Sequence, residues 1–164
     1  MSMLAQGKIA DSEGKFVIAM GFYEKAVEEE NPNGEAIAYL MALCWQMTEY
    51  GFNCAHQLSS ASIQQATLVL DGYLDAASRH ASRPEVAFWR AYIGWADLGW
   101  ELAVEECEGY LALRPNFPDP LVYIAQSVED KPGAAAARQL IDRFAHEKTA
   151  RGMYLSSVAE AVLA

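Results

Sequence analysis

The chain has 164 residues, of which 52% are hydrophobic and 21% are charged, and its net charge is -10. A chain of this length buries enough apolar surface to fold alone, and its composition excludes collagen, low-complexity disorder and a disulfide-stapled miniprotein. The negative charge disfavours nucleic acid as a partner, because phosphate binding needs a positive field. The longest apolar run, 36–45, is about half a bilayer crossing, so we expect no membrane span.

The N-terminal residues and the cysteines indicate the cellular compartment of the protein. No apolar stretch near Met1 is long enough for a signal peptide. Cys44, Cys54 and Cys107 are odd in number and lack the spacing of a disulfide framework or of a zinc site. We therefore expect a cytoplasmic protein with reduced thiols, and no metal or cofactor.

Regular break signals predict an all-α chain. In chain order they fall at 12–14, 31–34, 51–53, 82–84, 98–99, 115–120 and 131–133. Between them, apolar residues recur at intervals of three and four, which is the helical period. The pattern predicts about nine helices, and short helices so close in sequence should pack as antiparallel hairpins.

The chain also repeats itself at fixed offsets. With an offset of 34, the matched pairs are Ala91 and Ala125, Gly99 and Gly133, Ala103 and Ala137, Cys107 and Ile141, and Tyr110 and Phe144. Near the start the offset is 37 for Gly7 and Cys44, but 47 for Ala19 and Ala66. Small side chains align with small ones and large with large, as stacked helical units require. The change of offset predicts a ten-residue insertion.

This pattern resembles the tetratricopeptide repeat, a 34-residue helix–turn–helix unit, most clearly where a second helix runs from Trp100 to Pro115. The resemblance implies one domain over 1–164, a right-handed α-solenoid of about four hairpins with a C-terminal capping helix. The sequence departs from the family pattern at Arg90, Gly94 and Tyr110. The predicted units are 2–33, 37–83 with an inserted loop near 52–62, 84–117 and 118–151, followed by the capping helix at 152–163.

The resemblance also implies a binding groove, because the first helix of each tetratricopeptide unit lines a concave surface. Phe88, Tyr92 and Trp95 share one helix face and give the predicted groove an aromatic floor, with carboxylates around it. The whole predicted groove comprises Lys8, Asp11, Met41, Trp45, Glu49, Glu85, Phe88, Tyr92, Trp95, Val122, Gln126 and Glu129. The sequence leaves open whether the groove is exposed or is covered by the inserted loop or the C-terminal helix.

These features predict a non-catalytic protein-interaction module, an adaptor or a chaperone-like protein. Its partner would be a peptide segment of another protein with apolar anchors and basic residues. We expect neither nucleic acid nor a membrane as a partner. One alternative is a homodimer or scaffold that buries the same aromatic face. Another is a small enzyme with Cys54 and His56 in the inserted loop. The stripe of Glu101, Glu105 and Glu108 is interpreted as a solvated helix face, with a docking surface as the alternative.

Overall fold

The structure is a computed structural model that describes residues 1–29 and 34–164. Within these ranges the chain is all-helical without strands, which confirms the predicted class. The predicted break at 31–34 and the end of the first predicted unit lie largely outside the described residues. The helices are α1 (Met3–Ser12), α2 (Phe16–Glu29), α3 (Ala36–Thr48), α4 (Tyr50–Ala55), α5 (Ser60–Leu74), α6 (Pro84–Leu98), α7 (Val104–Leu113), α8 (Leu121–Ser127), α9 (Asp130–Phe144) and α10 (Ala150–Leu163). None of these described helices has the length and apolar character that crossing a bilayer requires.

The helices form two compact units, Met1–Trp89 and Arg90–Ala164, and the division falls within α6. The grouping into four repeat units within one domain remains a prediction. A helix, α10, does lie where the sequence predicts the capping helix, and it packs against α8 and α9.

The first unit is built around α3. Helices α2, α4 and α5 all pack against α3, and α1 packs against α2. Every residue from Ala36 to Trp45 is buried. A helix that is apolar on all sides is stable only when neighbours cover it on all sides, so this run forms the core of the unit. The same run is too short to span a membrane.

The second unit is built around α8 and α9. Helix α9 packs against α8 and α10, while α7 and α10 each pack against α8. Ala136, Ala137 and Leu140 form the buried face of α9, and Phe144 ends it. The small alanine side chains allow neighbouring helices to approach closely.

Two predicted boundaries differ from the structure. The segment near 52–62 is not a loop, since it contains the end of α4, a short turn and the start of α5. Phe52 and His56 hold α4 in place by ring contacts with Phe16, at centroid distances of 5.1 and 4.9 Å. Helix α7 begins at Val104 rather than at Trp100, and the extended residue Ala103 is its N-cap. Ala103 and Ala137 therefore occupy different backbone environments, although the 34-residue offset pairs them.

Candidate functional site

The predicted groove residues of the first unit are mostly core residues. Asp11, Met41, Trp45, Glu85 and Phe88 are buried, whereas Lys8 and Glu49 are partly exposed. The Trp45 ring packs against Trp89 with the centroids 6.0 Å apart. Aromatic side chains at helical spacing gain more by burial in a core than by exposure to water. In this unit the aromatic members of the predicted groove, Trp45 and Phe88, are therefore buried in packing and do not form an open surface.

The predicted groove residues of the second unit divide in the same way. Tyr92 and Val122 are buried, Trp95 is partly exposed, and Gln126 and Glu129 are exposed. Tyr92 and Trp95 contact each other at a ring-centroid distance of 5.4 Å. The exposed members of the predicted set in this unit are thus Gln126 and Glu129, and Gln126 also donates to the Val122 carbonyl.

A hydroxyl network connects three helices of the second unit. The hydroxyls of Tyr92 and Tyr154 lie 2.5 Å apart, and Gln126 Nε2 donates to the Tyr92 oxygen at 2.9 Å. Burial raises the pKa of Tyr92, and the hydrogen bonds to Tyr154 and Gln126 oppose that rise. The network therefore links α6, α8 and α10 through their side chains.

The cysteines divide into one exposed and two buried thiols. Cys54 is exposed beside the exposed His56, in the segment considered for an enzyme site. Burial raises the pKa of Cys44, and burial with nearby glutamates raises the pKa of Cys107 to about 12. Both buried side chains remain thiols at neutral pH and behave as small hydrophobic groups. Among the described residues, no group of three or more His, Cys, Asp or Glu side chains could hold a metal ion.

A buried ion pair ties α10 to the connection before α8. Arg151 donates from Nε to Asp119 Oδ2 at 3.0 Å and from a terminal nitrogen to Asp119 Oδ1 at 2.6 Å. Both side chains are fully buried. The guanidinium also lies 5.0 Å from the ring centroid of Phe144. Sequence analysis missed this pair, although an arginine on the same helix face as the buried Leu155 was a usable signal.

An open apolar groove runs along α1 and α2 in the first unit. Its volume is about 350 Å³. Ile9 and Ile18 line it and are 46% and 55% exposed. Glu13 and Lys15, joined by an ion pair of 2.7 Å, lie at its rim. The lining comprises Met1, Gln6, Ile9, Ala10, Glu13, Lys15, Ile18 and Phe22. The sequence signal that could have indicated this groove is Ile9 and Ile18, two large apolar residues that lie outside the buried faces of α1 and α2.

A second hollow, between α2 and α5, is acidic. Its volume is about 450 Å³, and it is lined by Glu24, Lys25, Glu28, Glu29 and Tyr73. Burial raises the pKa of Glu24, whereas hydrogen bonding to Arg79 lowers that of Glu28. Burial also raises the pKa of Tyr73 to about 12. The Arg79–Glu28 ion pair joins the segment after α5 to α2 beside this hollow.

Comparison of the chain with protein-family models, with curated proteins and with solved structures finds no match.

Proposed function

We propose that this chain is a non-catalytic protein-interaction module made of stacked, tetratricopeptide-like helical hairpins. It takes the apolar anchor residues of a partner polypeptide into the groove between α1 and α2. The observation that carries the proposal is this groove, because large apolar side chains exposed around a concavity are typical of interaction surfaces.

The order of helix contacts supports stacked hairpins. In the runs α1–α2–α3 and α8–α9–α10, each helix packs against the next one in sequence. Contacts between helices two apart, such as α8 with α10, are what neighbouring hairpins make when they stack. The late start of α7 makes the third predicted unit irregular, so the proposal is a stack of hairpins of unequal length.

The chemistry of the groove selects its occupant. Ile9 and Ile18 are about half exposed, and completing their burial is worth about 2 kcal/mol together. The rim carries one acid and one base, Glu13 and Lys15, so it attracts neither sign of charge strongly. The expected occupant is a short apolar-anchored segment of another protein.

The test uses a random-sequence peptide display library selected on the wild-type chain. We expect enriched peptides with paired apolar residues, whose affinity falls about 30-fold for an Ile9→Ser/Ile18→Ser double variant, the equivalent of about 2 kcal/mol. Leu68→Ser is the matched control, since Leu68 is an exposed side chain of the same unit outside the groove. Its peptide affinity should equal that of the wild type.

Two outcomes would overturn the proposed occupant. One is equal binding of every enriched peptide to the wild type and to the double variant. The other is light scattering that gives twice the 18.0 kDa mass for the wild type and the monomer mass for the double variant. That second result would identify the groove as a contact between copies of the chain, in agreement with the alternative of a homodimer.

A further inference from the structure

We propose that the turn between α6 and α7 is a second docking surface, which binds a basic segment of a partner protein by placing an arginine or lysine side chain on the exposed face of Trp100. This surface lies in the unit Arg90–Ala164, and the proposal does not depend on the groove between α1 and α2.

The end of α6 fixes Trp100 in place. Gly99 adopts the left-handed conformation, with φ 70°, and the Trp100 amide donates to the Gly94 carbonyl at 3.1 Å. This bond joins residues six positions apart, and with the left-handed glycine it brings Trp100 back against the last turns of α6. The indole lies directly on Gly94, because a Cβ atom there would be 2.0 Å from the indole Cε3.

The other side of this contact is open to solvent. Trp100 is 50% exposed and Leu98, beside it in the turn, is 66% exposed. Tryptophan side chains in folded proteins are on average more buried than the Trp100 side chain is here. A ring already held against the backbone loses little conformational freedom on binding, and tryptophan is enriched among the residues that dominate binding energy. The structure thus presents a rigid apolar anchor to the exterior.

Charge selects the partner. Residues 91–113 contain Asp97, Glu101, Glu105, Glu106 and Glu108 but no lysine, arginine or histidine. All five carboxylate residues are exposed. Arg90 of α6 also acts on α7, at Tyr110, but the five carboxylates outnumber it and leave a net negative field next to an exposed indole, which favours approach of a cationic segment. A guanidinium or ammonium group over the ring adds a cation–π interaction to this attraction.

The same charge argues against other occupants of this surface. Two copies meeting through it would bring like charges together, which is unfavourable across an interface. A nucleic acid would bring phosphates to a surface without a base of its own between 91 and 113. A basic polypeptide is the partner class that complements both the exposed Trp100 ring and the carboxylates around it.

The experiment is a selection of a random-sequence peptide display library on the wild-type chain, with depletion on Trp100→Ser. We expect enriched peptides that combine arginine or lysine with an aliphatic residue. Their affinity should fall at least tenfold for Trp100→Ser and about threefold for Glu101→Gln/Glu105→Gln. The double glutamine variant should also reduce the dependence of affinity on salt, because it removes charge without removing packing.

Further variants separate this surface from folding and from the other groove. Leu98→Ser removes an exposed side chain, so the chain stays folded while peptide affinity falls, whereas the equally exposed Leu68→Ser leaves it unchanged. Gly94→Ala keeps the tryptophan but displaces its ring, and should weaken binding as Trp100→Ser does. Ile9→Ser/Ile18→Ser should have no effect on these peptides, so failure here is distinguishable from failure of the groove between α1 and α2.

The proposal is overturned if the depleted selection enriches no peptide, or if the enriched peptides lack cationic residues. It is also overturned if their binding is the same for the wild type, Leu98→Ser and Glu101→Gln/Glu105→Gln.

Discussion

The two units reach stability by different means. In Met1–Trp89 the centre is α3, whose buried run is entirely apolar or aromatic apart from the thiol of Cys44 and the hydroxyl of Tyr39. In Arg90–Ala164 the centre includes a fully buried arginine–aspartate pair. An apolar core accepts many arrangements of similar volume, whereas a buried ion pair is stable only when both charges meet in good geometry. The second unit should therefore depend more sharply on single residues.

The largest expected effect is on that ion pair. Arg151→Met leaves the Asp119 carboxylate buried without its bidentate partner, and should lower the free energy of unfolding by about 4–5 kcal/mol in urea titrations. Arg138→Met is the control, since Arg138 lies exposed on α9, and should change it by less than about 0.5 kcal/mol. The double variant Asp119→Leu/Arg151→Met should recover most of the loss. If Arg151→Met and Arg138→Met had the same free energy of unfolding, the proposed difference between the two units would be contradicted.

The next effect concerns a predicted groove residue of the first unit. Trp45→Ala removes a buried ring from α3 and should lower the free energy of unfolding by about 3–4 kcal/mol, because it leaves a cavity beside Trp89. Tyr50→Ala, at an exposed aromatic residue, should cost less than about 0.5 kcal/mol. If Trp45→Ala were as stable as the wild type, Trp45 would belong to a surface and the interpretation of α3 as core would fail.

A smaller effect tests the buried polar contact of the first unit. The Tyr23 hydroxyl donates to Asp11 Oδ2 at 2.8 Å, between α2 and α1. Tyr23→Phe removes that donor from a buried carboxylate and should cost about 2 kcal/mol in thermal or urea unfolding. Tyr50→Phe serves as the exposed control and should be neutral. A loss as large as that of Arg151→Met would remove the proposed difference between the units.

The smallest expected effect is on the reaction rates of the thiols. This test compares the buried Cys44 of the first unit with the buried Cys107 of the second. At pH 8, Cys54 should react rapidly with a disulfide reagent, whereas Cys44 and Cys107 should react only as the chain opens. With the pKa of Cys107 raised to about 12, only about one side chain in 10,000 is thiolate at that pH. Cys54→Ser should abolish the rapid phase, and all three thiols of the wild type should react in denaturant. A rapid phase that survives Cys54→Ser would contradict the burial of one of the other two.

Periodicity predicted the parts of the fold that depend on apolar burial. The all-helical class is confirmed, and α10 begins two residues before the predicted capping helix. The apolar run Ala36–Trp45 lies inside a single buried helix. Burial of a single helix depends on the order of apolar residues within one segment, so the sequence pattern of that segment can predict it.

The features that sequence reasoning missed depend on contacts between distant residues or on exposure. Asp119 and Arg151 are 32 positions apart, so no local spacing links one residue to the other. The late start of α7 follows from the hydrogen bond between Trp100 and Gly94, which turns the chain back before a new helix can begin. The aromatic residues Phe88 and Tyr92 have the same spacing whether they line a groove or a core, and only the structure distinguishes the two.

The arginine at the start of the last helix also sets an order of events during synthesis. Ribosomes make the chain from its N-terminus, and segments begin to fold as they emerge. Helices α8 and α9 are complete before residue 151 is added, and until then the Asp119 carboxylate lacks its bidentate partner, the Arg151 guanidinium. The buried Arg151–Asp119 pair therefore forms only after translation has reached α10, later than the helices it connects to.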